Sequence, residues 1–98
     1  MGFKIIWTEK SAEDIASIVR FISRHNPRAG IEVGFGIYER VQILIEFPES
    51  GSEVPELNDS TWRQLLYRNY KIVYHLNRSS KTIEVVRVWH AARGEVEI

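Results

Sequence analysis

The stretch that decides the fold runs from Trp62 to Arg93, WRQLLYRNYKIVYHLNRSSKTIEVVRVWHAAR. Three runs rich in β-branched and aromatic residues, 62–66, 70–76 and 82–90, are separated by the polar segments 68–69 and 77–80. Runs of this kind bounded by Asn and Ser predict short strands joined by turns. The third run is nearly continuous in Ile, Val and Trp, which is typical of a strand near the sheet centre. We therefore predict a three-strand antiparallel meander.

The same stretch concentrates positive charge. Residues 62–93 hold seven Lys and Arg side chains against the single carboxylate Glu84, whereas residues 1–61 hold six basic and ten acidic side chains. The formal net charge of zero therefore conceals a basic C-terminal half. Two interpretations remain open, namely exposed cations that keep strand edges soluble and a positive surface for phosphate groups.

Residues 3–22 predict a strand and a helix. The run FKIIW at 3–7 is short and rich in strand-forming residues, which favours a strand over a buried helix. Apolar residues then recur at spacings of three and four from Ala12 to Ile22, as on one face of an amphipathic helix of about four turns. Either Thr8 or Ser11 serves as the N-cap.

A second helix is predicted to begin at Pro27, because Asn26 is a good N-cap and proline suits the first helical position. Its apolar face continues to residue 47, where Pro48 ends it. The two helices then form an antiparallel hairpin. The glycines of the second helix, Gly30, Gly34 and Gly36, either permit close helix contact or weaken its first half.

Residues 49–60 lack apolar periodicity and predict a surface connection of a length that is often functional. A length of 98 residues predicts a single domain over residues 1–98. We therefore predict an α+β fold in which an N-terminal strand and an antiparallel helical hairpin precede a three-strand antiparallel meander that completes a single sheet. The chain has no cysteine and no apolar run that could span a membrane, so a soluble protein compatible with the cytoplasm is expected.

Seven short motifs occur in this order along the chain. They are Trp7-Thr8 before the first helix, Asn26-Pro27-Arg28-Ala29, Phe47-Pro48-x-x-Gly51, Pro55-Glu56-Leu57, Arg63-x-Leu65, Tyr70-Lys71-Ile72-Val73-Tyr74 and Val88-Trp89-His90-x-x-Arg93. In this order and spacing the chain resembles, over nearly its full length, the RelE/ParE superfamily of toxins from bacterial type II toxin–antitoxin systems.

The resemblance implies a toxin that arrests growth and is neutralised by a cognate antitoxin protein. RelE-like members act on the ribosome as mRNA endoribonucleases, whereas ParE-like members poison DNA gyrase. We take a ribosome-dependent mRNA endoribonuclease as the first hypothesis. A DNA gyrase inhibitor without nuclease activity and a decayed, non-catalytic member are the alternatives, because one fold hosts several activities. The resemblance implies no metal and no cofactor. The apolar stripe of the helices and the rim of the sheet are expected to receive the antitoxin.

For the ribonuclease hypothesis, the resemblance assigns catalytic roles to four residues. RNA cleavage through the 2′-hydroxyl needs a base, a cationic clamp and an acid. Lys71 stands where cutting members usually hold arginine and would clamp the phosphate with Arg63, although it lacks the guanidinium fork. His90 would act as acid or base, and Arg93 would add a cation. Ala91 replaces a tyrosine that often follows the histidine.

Each candidate also has a purely structural interpretation. Arg63 and Lys71 can be solvated strand charges or partners of helix carboxylates, and His90 can be a strand-end histidine held by the backbone. Tyr70 and Tyr74 share a strand parity that favours core positions over base stacking. Glu56 is a weak catalytic candidate, because it is most simply a solvated loop residue. His75, His90 and Glu84 are a weak metal site, because they lack the spacing of a metal-binding motif.

Overall fold

The computed structural model describes residues 2–93, except for the side chain of Arg93. Its regular elements, in chain order, are strand β1 (Lys4–Trp7), helix α1 (Glu9–Ser23), helix α2 (Pro27–Gln42) and strands β2 (Ser52–Glu53), β3 (Trp62–Tyr67), β4 (Tyr70–Asn77) and β5 (Thr82–His90). Single 3-10 turns lie at Ile43–Ile45, Pro55–Leu57 and Ala91–Arg93. The predicted α+β fold class is confirmed.

All five strands form one sheet in the order β1-β5-β4-β3-β2. The predicted antiparallel meander of β3, β4 and β5 is present. Strand β1 pairs in parallel with the first part of β5, from Lys4 opposite Thr82 to Trp7 opposite Val85. Strand β5 is therefore interior, as its apolar composition predicts, while β4 occupies the centre.

The N-cap of α1, which the sequence left open, is Thr8. Its side-chain oxygen accepts a hydrogen bond from the Ser11 N–H at 3.1 Å, and its hydroxyl donates to the Val85 carbonyl at 3.0 Å. One threonine thus both starts the helix and joins it to the sheet. The predicted cap of α2 is confirmed, since the Asn26 Oδ1 accepts from the Ala29 N–H at 3.2 Å.

Helix α2 ends at Gln42, five residues earlier than its apolar pattern predicts. The chain tightens into a 3-10 turn, and the carbonyl of Ile45 accepts a hydrogen bond from the Phe3 N–H at 2.8 Å. That carbonyl is used to anchor the start of β1 instead of continuing the helix. Leu44 is nevertheless fully buried, so the apolar periodicity persisted after the helical hydrogen bonding had stopped.

Close packing of the two helices explains two of the glycines of α2. A Cβ at Gly30 would lie 3.0 Å from the Val19 carbonyl, and one at Gly34 would lie 2.9 Å from a Val19 methyl carbon. Of the two alternatives that the sequence left open, close helix contact is the one observed. Gly36 instead faces the side chain of Tyr67 on β3.

The sheet is covered on both faces. The main core lies between the helices and one face, where Ile37, Leu44, Ile72, Tyr74 and other side chains are buried. On the other face Val54, Val73 and Trp89 form a second cluster, with Leu57 and Trp62 against it. The prediction that 49–60 is only a surface connection is therefore incomplete. This segment contributes β2 and a 3-10 turn, and it shields the outer face of the meander.

Within residues 2–93, no helix combines the length and the apolar character needed to span a membrane.

Candidate functional site

Arg63 lies on β3, opposite Tyr74 of β4. Its guanidinium donates to three backbone carbonyls, from Nε to Ser60 at 3.0 Å and from Nη1 to Gly51 at 2.9 Å and Glu49 at 3.4 Å. All three acceptors belong to the segment 49–60. The guanidinium therefore closes this segment onto β3, a structural role that the sequence analysis did not foresee.

Tyr74 completes this attachment from the core side. Its hydroxyl donates to the Pro48 carbonyl at 2.8 Å and accepts from the Gly51 N–H at 3.0 Å. The ring is fully buried, which confirms the prediction of a core position. We define the loop anchor as Arg63, Tyr74 and Gly51, because hydrogen bonds among these three residues attach the segment 49–60 to the sheet.

Burial raises the pKa of the Tyr74 phenol above its ordinary value of 10.0, and the hydrogen bond from Gly51 only partly opposes this shift. Because the phenol has the higher pKa in the folded state, its stabilising contribution is complete below about pH 10 and is lost as the pH rises through the folded value. The free energy of unfolding of the wild type should therefore fall more steeply than that of Tyr74→Phe above about pH 10. Denaturant titrations over that range check this, and parallel pH profiles would contradict it.

Gly51 is the tightest point of the loop anchor. A Cβ there would lie 2.6 Å from the Gln64 carbonyl and 2.7 Å from the Tyr74 hydroxyl. The Gln64 carbonyl belongs to the sheet backbone and cannot move aside cheaply, so Gly51→Ala should destabilise the fold by about 2 kcal/mol. The neighbouring Ser52 is exposed, and Ser52→Ala is the matched control, expected to change stability by under about 0.5 kcal/mol. Equal unfolding midpoints for the two variants would show that Gly51 is not closely packed.

Lys71 and Arg63 lie on opposite faces of the sheet. On β4 it stands opposite Leu66 on one side and Trp89 on the other, and successive strand residues alternate between faces. Tyr70 and Ile72 pack toward the helix-side core, so Lys71 belongs to the face that carries Trp89. It therefore does not share a face with Arg63, which pairs with Tyr74.

His90 ends β5 opposite Tyr70. Its ring lies edge-on to that of Tyr70, with 5.3 Å between centroids, and its Nδ1 accepts from the Ala92 N–H at 3.1 Å. His90 is therefore a strand-end histidine held by the backbone, as its structural interpretation predicts. Arg93 follows in the 3-10 turn Ala91–Arg93, and its side chain lies outside the described residues.

The three described candidates do not converge on one point. Arg63 pairs with Tyr74 and His90 pairs with Tyr70, which places them about 13 Å apart along β4 at ~3.3 Å per residue. Lys71 lies on the other face. The assignment of Arg63, Lys71, His90 and Arg93 to a catalytic site stays a prediction, and this geometry does not bring Arg63, Lys71 and His90 around a single phosphate.

A feature that the sequence analysis missed is the contact of α1 with the end of β5. The Asp14 Oδ2 accepts from the Arg87 Nε at 2.8 Å and from the Val88 N–H at 3.0 Å. Both side chains of this ion pair are largely buried. The interruption of an apolar strand by Arg87 was the available signal, because a cation in a covered strand needs a carboxylate partner.

Within residues 2–93, no group of three His, Asp or Glu side chains is placed to hold a metal ion.

A family model described as the ParE toxin of the type II toxin–antitoxin system parDE matches residues 5–94. The chain belongs to the ParE toxin family. This match covers every described helix and strand except the first residue of β1, and it confirms the resemblance to the RelE/ParE superfamily that the motifs indicated. The chain is therefore a toxin of a type II toxin–antitoxin system.

Two solved structures share the fold. One is described as a chromosomal ParDE toxin–antitoxin system from P. aeruginosa, with 22% identity, a TM-score of 0.72 and coverage of 90% of this chain and 95% of that chain. The other is the toxin–antitoxin complex RelBE2 from Mycobacterium tuberculosis, with 16% identity, a TM-score of 0.58 and coverage of 92% of both chains. No curated protein matches the sequence.

Proposed function

We propose that this ParE family member arrests growth by binding DNA gyrase, without cleaving RNA, and that a cognate antitoxin protein neutralises it. The observation that carries the proposal is that the Arg63 guanidinium is already engaged in hydrogen bonds within the chain. Its guanidinium is hydrogen-bonded to three carbonyls of the segment 49–60, so it is not positioned to clamp a phosphate together with Lys71 on the other face. Binding a protein target makes no such demand on these side chains.

An antitoxin partner is supported by the apolar surface of α2. Ile31, Phe35 and Tyr38 follow one another at helical spacing and are 68%, 60% and 50% exposed. Tyr38 also stacks on Trp7 of β1, with 6.1 Å between ring centroids. Such a row of large exposed apolar side chains on one helix marks a protein-binding surface. The apolar stripe that periodicity predicted on α2, with Val33, Ile37 and Val41, is instead buried in the core, so the exposed row is a second apolar face of this helix.

The direct test is growth arrest by site variants. Under the gyrase proposal, His90→Ala and Lys71→Ala should arrest growth as strongly as the wild type, because neither residue performs chemistry. Loss of arrest in either variant, with the thermal unfolding midpoint unchanged, would contradict the proposal. A gyrase supercoiling assay with the purified wild-type chain then checks the target, and absence of inhibition would count equally against it.

A ribosome-dependent mRNA endoribonuclease acting through Arg63, Lys71, His90 and Arg93 stays a second proposal. One observation favours it, which is the contact between His90 and Tyr70. This contact puts a phenol beside the histidine, although Ala91 stands where a tyrosine often follows. Ribosomes and mRNA would then be the partners, and cleaved transcripts should appear within minutes of induction. A decayed toxin would show neither effect and would not arrest growth.

A further inference from the structure

A groove of about 670 Å³ lies between α1 and the last residues of β5. It forms because β1 pairs with β5 only as far as Val85, whereas β5 continues to His90. Beyond Val85 the side chains of α1 lie beside the strand, and the Asp14–Arg87 ion pair joins the two elements. No residue of the loop anchor or of the exposed row on α2 is among the described residues that line this groove.

The groove carries positive charge at both ends and apolar surface between them. Lys10 lies at the start of α1, and Arg20 and Arg24 lie near its end; all three line the groove and are exposed. Ile18 lies between Lys10 and Arg20 along the helix, and the 64% exposed Phe21 lies between Arg20 and Arg24. At ~1.5 Å per residue, about 21 Å separates the two ends.

Asp14 is the one carboxylate among the described lining residues. It is held by Arg87, so these two charges offset each other and the remaining charge among the described lining residues is positive. A ligand that fits must place negative charge at both ends and avoid it in the middle, beside Asp14 and Ile18. A segment with that pattern would pair with the cations and pack on the apolar surface together.

We propose that this groove binds an acidic segment of a protein partner, in which carboxylates at both ends flank a short apolar stretch. At ~3.4 Å per residue, about six extended residues span the distance. A nucleic acid fits less well, because its regularly spaced phosphates would place charge against Ile18, Phe21 and Asp14. The inference rests on the proposed function in one respect, since it gives the chemistry of the segment through which a neutralising protein would make contact.

The experiment follows amide chemical shifts of the ¹⁵N-labelled full chain during titration with a synthetic peptide. The peptide carries two glutamates, four leucine or phenylalanine residues and two further glutamates. We expect shifts in α1 and in the end of β5. The double variant Arg20→Gln/Arg24→Gln should bind about tenfold more weakly, since it removes two attractive charges. Arg28→Gln, an equally exposed change on α2 outside the groove, should bind like the wild type.

A peptide of the same composition with its glutamates in the centre should bind several-fold more weakly than the first. Equal binding of the two peptides, absence of shifts in α1, or tighter binding of a duplex DNA oligonucleotide at the same residues would each overturn the inference. Growth arrest by the wild-type chain is scored separately. An arresting chain that ignores the peptide refutes the groove and leaves the proposed function intact, whereas a chain that binds the peptide without arresting growth refutes the proposed function alone.

Discussion

Replacing Arg63 with alanine is expected to lower the free energy of unfolding by about 3 kcal/mol. Hydrogen bonds from a charged group contribute about 1.5–3 kcal/mol each when both partners are well ordered, and Arg63 makes three of unequal length and exposure. The loss should loosen the segment 49–60 and uncover Val73 and Trp89, which this segment shields. Denaturant unfolding followed by tryptophan fluorescence measures both effects.

The matched control is Arg78→Ala. Arg78 forms an ion pair with the side chain of Glu49, in the same segment, but both side chains are more than half exposed. Such a surface pair contributes about 1 kcal/mol or less. If Arg63 were catalytic instead, Arg63→Ala would abolish growth arrest and leave the unfolding transition where it was. Loss of stability together with a proportionate loss of arrest is the outcome expected for a structural arginine.

Removing the Asp14 carboxylate is expected to cost about 3–4 kcal/mol of folding stability, because it leaves a largely buried Arg87 without its carboxylate and the Val88 N–H without its acceptor. Asp14→Ala tests this by thermal and denaturant unfolding. Asp14→Asn keeps an acceptor for Val88 while removing the charge, so it should lie between Asp14→Ala and the wild type.

Glu13→Ala is the control for Asp14, since Glu13 is the preceding residue of α1 and is exposed. Its effect should stay within about 0.5 kcal/mol. Equal effects of Asp14→Ala and Glu13→Ala would mean that the ion pair contributes nothing beyond a surface charge. The attachment of α1 to the free part of β5 would then rest on apolar packing alone.

Local sequence signals were sufficient where the structure is locally determined. The meander, the Asn26 cap and the two helices follow from periodicity and turn chemistry, and each was predictable. The length of α2 was not, because Leu44 keeps the apolar spacing while the Ile45 carbonyl is drawn to Phe3, a partner more than 40 residues distant in sequence. Hydrogen bonding between distant segments leaves no periodic trace.

The candidate site shows the same limit more strongly. The resemblance grouped Arg63 and Lys71 as phosphate clamps on adjacent strands, but pairing register decides which face of the sheet each occupies. The pairing register of the strands cannot be predicted from composition. The hydrogen bonds from Arg63 to the carbonyls of 49–60 could not be predicted from it either. The helix face that lines the groove beside α1 was easier to predict from the sequence. Lys10, Asp14, Ser17, Phe21 and Arg24 recur at spacings of four and three, a helical stripe that periodicity can detect.

We propose that this ParE family toxin stops DNA metabolism and not translation. Parallel pulse labelling of protein and DNA synthesis after induced expression tests that claim most directly. DNA synthesis should fall first, with DNA breaks, while protein labelling continues at its initial rate. Immediate loss of protein labelling with intact DNA synthesis would contradict gyrase as the target and favour the ribonuclease acting through Arg63, Lys71, His90 and Arg93.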